Sequence, residues 1–210
     1  MNSRNGQPLP KQAILMAAQQ LYSGLSAIHN LGVIFRDLKL KNILISEFGN
    51  LNISDFGLAK WLNRHQRTYT ICGTLSFMAP EVALSQPYHH RYVLEICLKN
   101  LAAVHSLNTG SKITPIYYYY FSVDLWSLGM VLFSLAFGFL PYSKAKDHEE
   151  LAKLQNNQPL LEFNHEDSEV KILLENLLLS DPNSRSFECE QTADLDPFAK
   201  VATFFDELQT

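Results

Sequence analysis

Apolar residues recur at Ile14, Ala17, Ala18, Leu21, Leu25 and Ile28, spacings of three and four that put them on one face of a helix. The pattern predicts a helix over 11–30, stopped by Asn30-Leu-Gly32. Two short β-rich runs follow, 42–46 and 51–54, joined by Glu47-Phe-Gly-Asn50, whose Gly and Asn tolerate the positive φ of a tight turn. They predict a small hairpin. Residues 55–80 are polar, contain Gly and Thr, and have no sustained period, which predicts a long ordered loop of the kind that usually carries function. Helical patterns return over 122–137, 147–156 and 168–179. The fold class expected is mainly α with a small β-hairpin. One stretch, 89–120, has no clean period and contains the run Tyr117-Tyr-Tyr-Tyr120.

Composition narrows the field. The 210 residues are 47% hydrophobic and 18% charged, a globular balance. Seventeen Lys+Arg against 21 Asp+Glu cannot make the one-signed field that non-specific nucleic-acid binding needs, so no nucleic-acid partner is expected. Cys72, Cys97 and Cys189 are odd in number and widely spaced, which indicates neither a disulfide framework nor a zinc site. That usage, with no secretory pattern in the first thirty residues, predicts an intracellular, cytoplasmic protein. Asp124 interrupts the apolar stretch 123–140, leaving 16 uncharged residues, short of the ~20 a membrane span needs. A buried core helix is expected there.

The chemistry lies in the polar segments. The chain reads Phe35-Arg-Asp-Leu-Lys-Leu-Lys-Asn42, then Asp55-Phe-Gly57, Gly73-Thr74 and Ala79-Pro-Glu81, with Asp124-Leu-Trp-Ser-Leu-Gly129 and Leu178-Leu-Ser-Asp-Pro-Asn-Ser-Arg185 further on. In this order and spacing the sequence resembles the catalytic domain of a eukaryotic protein kinase, specifically its large C-terminal lobe. Lys39, two residues after Asp37, and Gly73-Thr74 resemble the serine/threonine type. The activation segment resembles the AGC group, most of all ribosomal protein S6 kinase-related members.

The resemblance implies a set of roles. Asp37 would accept or orient the proton of a protein hydroxyl, and Lys39 would face the transferred phosphate. Asn42 and Asp55 would hold Mg2+, and Leu44 would floor the adenine site of ATP. Thr70, three residues before Gly73, would be phosphorylated by an upstream activating kinase and pair with Arg36 and Lys60, while Thr74 belongs to the same segment. Glu81 and Arg185 would form a buried ion pair, and Asp124 would accept hydrogen bonds from the catalytic-loop backbone.

Departures from the pattern shape the remaining expectations. Phe35 replaces the usual His or Tyr, Leu40 and Lys41 replace Pro and Glu, and Ser134 stands where many relatives carry Glu, so a preference for basic substrates does not carry over. No Gly-rich loop or strand-borne lysine precedes the catalytic loop, Lys11 lying in the predicted helix; the expectation is the C-terminal lobe only. Glu81 and Asp124 are 43 residues apart where the family pattern has about a dozen. The organisation expected is a polar segment 1–10, the large lobe over 11–88 and 121–188, an atypical insertion 89–120, and a tail 189–210. The insertion is a surface loop or a translated intron. The tail, with Asp196-Pro-Phe198 and Phe204-Phe205, resembles the end of an AGC domain. The leading reading is a kinase present as a fragment; the alternative is an inactive fragment or pseudokinase serving as an interaction module.

Overall fold

A computed structural model describes residues 8–61, 71–84, 115–157, 166–187 and 189, with the backbone alone over 115–120. The first helix, α1 (Lys11–Asn30), is the one the periodicity predicts. Ile14, Ala18, Leu21 and Leu25 are fully buried along it. It ends where Gly32 takes φ +76° and its N–H reaches the His29 carbonyl at 2.8 Å.

Strand β1 (Val33–Ile34) follows, then the hairpin of β2 (Ile43–Ile45) and β3 (Leu51–Ile53), antiparallel with Leu44 opposite Asn52. The hairpin lies against α1, where Gln20 Oε1 accepts from the Leu51 N–H at 2.7 Å. Strand β4 (Lys60–Trp61) runs antiparallel to β1, pairing Ile34 with Lys60. This second two-stranded sheet lies partly inside the region expected to be loop.

Helix α2 (Pro80–Ala83) starts on its proline, whose fixed φ suits a first helical position. The central helix α3 spans Pro115–Phe137, not 122–137. The extension has a simple cause: Pro115 also fits a first turn, and the residues after it include no breaker. The last six residues of the 89–120 stretch are therefore continuous with a core helix; residues 85–114 lie outside those described. Trp126, Leu128, Met130, Val131, Leu132 and Phe133 are buried on every side of α3, the mark of a helix at the centre of a core rather than on its surface.

Helix α4 (His148–Asn157) is introduced by Asp147, whose Oδ1 accepts from the Glu150 N–H at 2.8 Å. Helix α5 (Ser168–Leu177) is capped by Asp167, accepting from the N–H groups of Glu169 and Val170. Gly129 lets α5 approach α3: a Cβ there would stand 2.7 Å from Leu178 Cδ2. The result is a predominantly helical core with two small antiparallel sheets at its edge. Among the described residues no helix is long and apolar enough to cross a membrane.

Candidate active site

The segment between β1 and β2 is held from below by one buried carboxylate. Asp124, on α3 and wholly inaccessible, accepts from the Phe35 N–H at 2.9 Å and the Arg36 N–H at 2.7 Å. His29 Nε2, on the last turn of α1, lies 2.8 Å from its Oδ2. These contacts hold Arg36 at φ +70°, a left-handed conformation costly for a residue with a Cβ. Three partners also explain how a charge is tolerated in so apolar a helix.

Above this anchor the polar side chains converge. Asp37 Oδ1 accepts from Thr74 Oγ1 at 2.7 Å, and its Oδ2 accepts from Lys39 Nζ at 2.7 Å. Lys39 Nζ also donates to Thr74 Oγ1 at 2.9 Å, closing a three-membered cluster. Asn42, buried in the short turn Leu40–Asn42, donates its amide to the Asp37 carbonyl at 2.9 Å and to Oδ2 at 3.2 Å. Burial pushes the Asp37 carboxyl up, but the hydrogen bonds from Lys39 and Thr74, the Lys39 charge and the Asn42 amide outweigh it. The net effect holds Asp37 below the usual aspartate value and ionised at neutral pH.

Asp55 sits on the adjoining strand end at φ +65°, ψ +74°, its Oδ1 accepting from the Gly57 N–H at 3.3 Å. Ser54 ties this segment to the loop, donating through both its N–H and Oγ to the Asn42 carbonyl, at 2.8 and 3.0 Å. Asn42 uses its amide nitrogen in both of its bonds to Asp37, and neither its Oδ1 nor Asp55 Oδ2 has a hydrogen bond among the described residues. An amide oxygen and a carboxylate oxygen fit a hard divalent cation. Leu44 on β2 is 55% exposed, and Phe56 packs edge-to-face on Phe35 at 5.2 Å.

Gly73 makes the crossing of the two segments feasible. Its φ is +109°, and a Cβ there would stand 2.6 Å from the Arg36 carbonyl oxygen, so only glycine brings Thr74 over Asp37. Arg36 Nε donates to the Leu58 carbonyl at 2.7 Å, and Lys60 is half-buried on β4. Both cations bear on Cys72, drawing its thiol pKa down, although burial dominates and leaves it raised. Arg36 and Lys60 thus share one neighbourhood with the residues just after Thr70, which itself lies outside those described.

Below the site, Arg185 is fully buried and meets Glu81 with both terminal nitrogens, at 2.5 and 2.7 Å. Its remaining donors go to the carbonyls of Leu179, Ser122 and Ser180, and the guanidinium lies 5.0 Å from the Trp126 ring centre. The sequence reading missed three supports. His29 braces Asp124; Ser127 Oγ lies 3.0 Å from the Phe77 carbonyl; Gln155 Nε2 donates to the Met78 carbonyl at 2.9 Å. His29 and Gln155 are lone polar residues that matter only once packed, and Ser127, although inside the Asp124–Gly129 motif, carries no sign there of its contact with Phe77.

Residues 2–93 match the family model for the protein kinase domain. With the relatives below, that match supports a serine/threonine kinase catalytic domain of AGC-like type. The chain is similar to the ribosomal protein S6 kinase-related protein of Homo sapiens, 33% identical over 84% of this chain and 35% of that protein. Similar too are the protein kinase kin1 of Schizosaccharomyces pombe, 34% identical over 80% of this chain and 15% of that protein, and the ribosomal protein S6 kinase 2 alpha of Xenopus laevis, 32% identical over 79% and 18%. The chain spans about a third or less of the length of these relatives.

Proposed function

We propose that this chain is the large lobe of a protein kinase that transfers the γ-phosphoryl group of ATP to a serine or threonine hydroxyl of a protein. The observation that carries the reading is the convergence of Lys39, Asn42 and Thr74 on the ionised Asp37 carboxylate. In the transfer, the bond from the γ-phosphorus to the bridging β-oxygen breaks and a bond to the acceptor oxygen forms. The acceptor proton passes to Asp37. A carboxylate held below its usual pKa is a weak proton acceptor, so Asp37 first orients the hydroxyl and takes the proton late. Lys39, already over the Asp37–Thr74 pair, offsets charge on the transferred group.

Asn42 and Asp55 would hold Mg2+, which neutralises phosphate charge when bound. Leu44, exposed on β2, offers an apolar surface to adenine. Phosphorylation of Thr70 by an upstream kinase would add about −1.5 to −2 charges beside Arg36 and Lys60. Glu81, Arg185 and Asp124 serve structurally, holding the two segments in register. An intracellular, cytoplasmic setting belongs to the same reading. Residues 89–120 are read as an insertion, which gains support from a family-model match that stops at residue 93. Sequencing the mature transcript tests that part: reads that omit this segment identify it as intron.

The test of function is phosphate transfer from labelled ATP to a mixed protein substrate, by this chain and by the chain with any upstream coding sequence joined to it. Transfer that Asp37→Asn abolishes supports the reading. Absence of both transfer and Mg-ATP stabilisation in every form sinks it.

A further inference from the structure

We infer that Ser54 is a positioning residue for metal binding: its hydroxyl holds Asn42 in place relative to Asp55, so that both can meet one divalent cation. The inference rests on the site assignment above and goes beyond it by adding a residue that touches neither metal nor substrate.

Asn42 is held at almost every polar atom. Its N–H donates to the Lys39 carbonyl at 3.0 Å, and its side-chain amide donates to the Asp37 carbonyl at 2.9 Å and to Asp37 Oδ2 at 3.2 Å. Its own carbonyl accepts twice from Ser54, from the N–H at 2.8 Å and from Oγ at 3.0 Å. A carbonyl oxygen has two lone pairs, so Ser54 alone occupies this one. Oδ1 is the polar atom of Asn42 left uncommitted among the described residues, and an amide oxygen suits a hard cation.

The place of this contact in the hairpin gives the hydroxyl its importance. Ile43 opposite Ile53 ends the β2–β3 register, and Asn42 and Ser54 stand one step beyond it. Short ladders fray from their ends, and a single N–H bond there would leave the Asn42 peptide free to rock. The second bond, from a side chain, fixes its orientation. Directly after Ser54 the chain enters Asp55 at φ +65° and ψ +74°, a conformation that a residue with a Cβ holds only when its surroundings impose it. The Asp55 side chain itself makes one long bond, 3.3 Å from the Gly57 N–H. The firmer hold on Asp55 is therefore upstream, in the two bonds of Ser54. Ser54 is joined to one candidate ligand by a peptide bond and to the other by two hydrogen bonds, and the Asn42 amide carries the connection on to Asp37. Alanine at this position keeps the N–H bond and the ladder but loses the clamp, whereas threonine keeps both. Partners that orient metal ligands typically change metal affinity about 10–100-fold when removed.

The test is Mn2+ binding to the whole chain without nucleotide, read from the electron paramagnetic resonance signal of free Mn2+. Mn2+ shares the preference of Mg2+ for oxygen ligands. The proteins are the wild type, Ser54→Ala, Ser54→Thr and Asp55→Ala, and affinity is measured where metal-free urea melts show each one folded. Expected is wild-type binding that Asp55→Ala removes, binding about tenfold weaker in Ser54→Ala, and binding within about twofold of wild type in Ser54→Thr. A merely structural serine would lower the urea midpoint and leave the Mn2+ affinity of the folded protein unchanged, a result that overturns the inference. Equal weakening in Ser54→Thr and Ser54→Ala, or no Mn2+ binding by the wild type, overturns it as well. Mg-ATP stabilisation of the same preparations is measured in parallel. Mn2+ binding that depends on Asp55 but not on Ser54 removes this inference alone, whereas binding that depends on both, without Mg-ATP stabilisation, removes the kinase assignment alone.

Discussion

Two ion pairs in this molecule look alike on paper and do different work. Glu81 and Arg185 meet with the guanidinium fully buried and every nitrogen bonded, to a carboxylate or a backbone carbonyl. Asp37 and Lys39 meet at a similar distance, but the lysine is 21% exposed and both partners are shared with Thr74. A fully satisfied buried pair is a weld, because losing one member leaves the other charge buried without its mate. A pair with one partly exposed member can exchange contacts with water or ligand, so it is suited to chemistry and contributes little to holding the fold.

The sharpest way to break the comparison is to remove one member of each pair. Glu81→Ala leaves the Arg185 guanidinium buried without its anion, and should cost about 3–5 kcal/mol. For a chain of this size that corresponds to a fall in Tm of roughly 6–20 °C. Asp37→Asn should cost less than about 1 kcal/mol, since Lys39 gains access to water. Phosphate transfer should nonetheless drop about 10²–10⁴-fold, the usual contribution of a positioned acid–base group. Urea melts of the two variants decide it: equal destabilisation would mean that the Asp37 cluster is a weld as well.

A smaller effect is expected at the crossing of the two segments. Gly73→Ala sets a Cβ 2.6 Å from the Arg36 carbonyl at φ +109°. The backbone must give way, at about 1–3 kcal/mol. Because Thr74 is next in sequence, it should be drawn off Asp37 and Lys39, and a displacement near 1 Å is enough to slow transfer about 10²-fold. Retained transfer with normal stability in this variant would show that the Thr74 bond is dispensable.

What could be read in advance follows the same divide between local pattern and packing. Helix α1 and the hairpin declare themselves through a 3.6-residue period and a Gly-Asn turn, signals that need no partner. The pairing of Val33–Ile34 with Lys60–Trp61 does not, because two residues show no alternation and the strands lie 26 positions apart. The start of α3 at Pro115 was hidden by a tyrosine run with neither cap nor period. In the candidate site, Asp37, Asn42, Thr74, Glu81, Asp124 and Arg185 were legible as motif members; the structure gathers Asp37, Asn42 and Thr74 in one cluster and Glu81 with Arg185 in another, while Asp124 anchors the loop backbone next to the first. His29 and Gln155 were not, for each becomes important only through a contact made 95 and 77 positions away.

The smallest expected effect sharpens the comparison through proton linkage. In the folded chain Asp37 lies below the ordinary aspartate value, while in the unfolded chain it returns to about 4. Between those two values the unfolded state binds more protons, so stability rises with pH there. The contribution is present above pH ~4 and lost as pH falls through the folded value. Burial opposes the hydrogen bonds that produce this shift, so its amplitude is modest. The signature is a difference: the stability gap between wild type and Asp37→Asn should be constant near neutrality and change only below pH ~4. Lys39→Met should move that change to higher pH by removing a hydrogen bond and a charge that hold the carboxylate ionised. A gap that ignores pH in both backgrounds would mean that the carboxylate gains nothing from its neighbours, leaving Lys39 to act on the transferred phosphate alone.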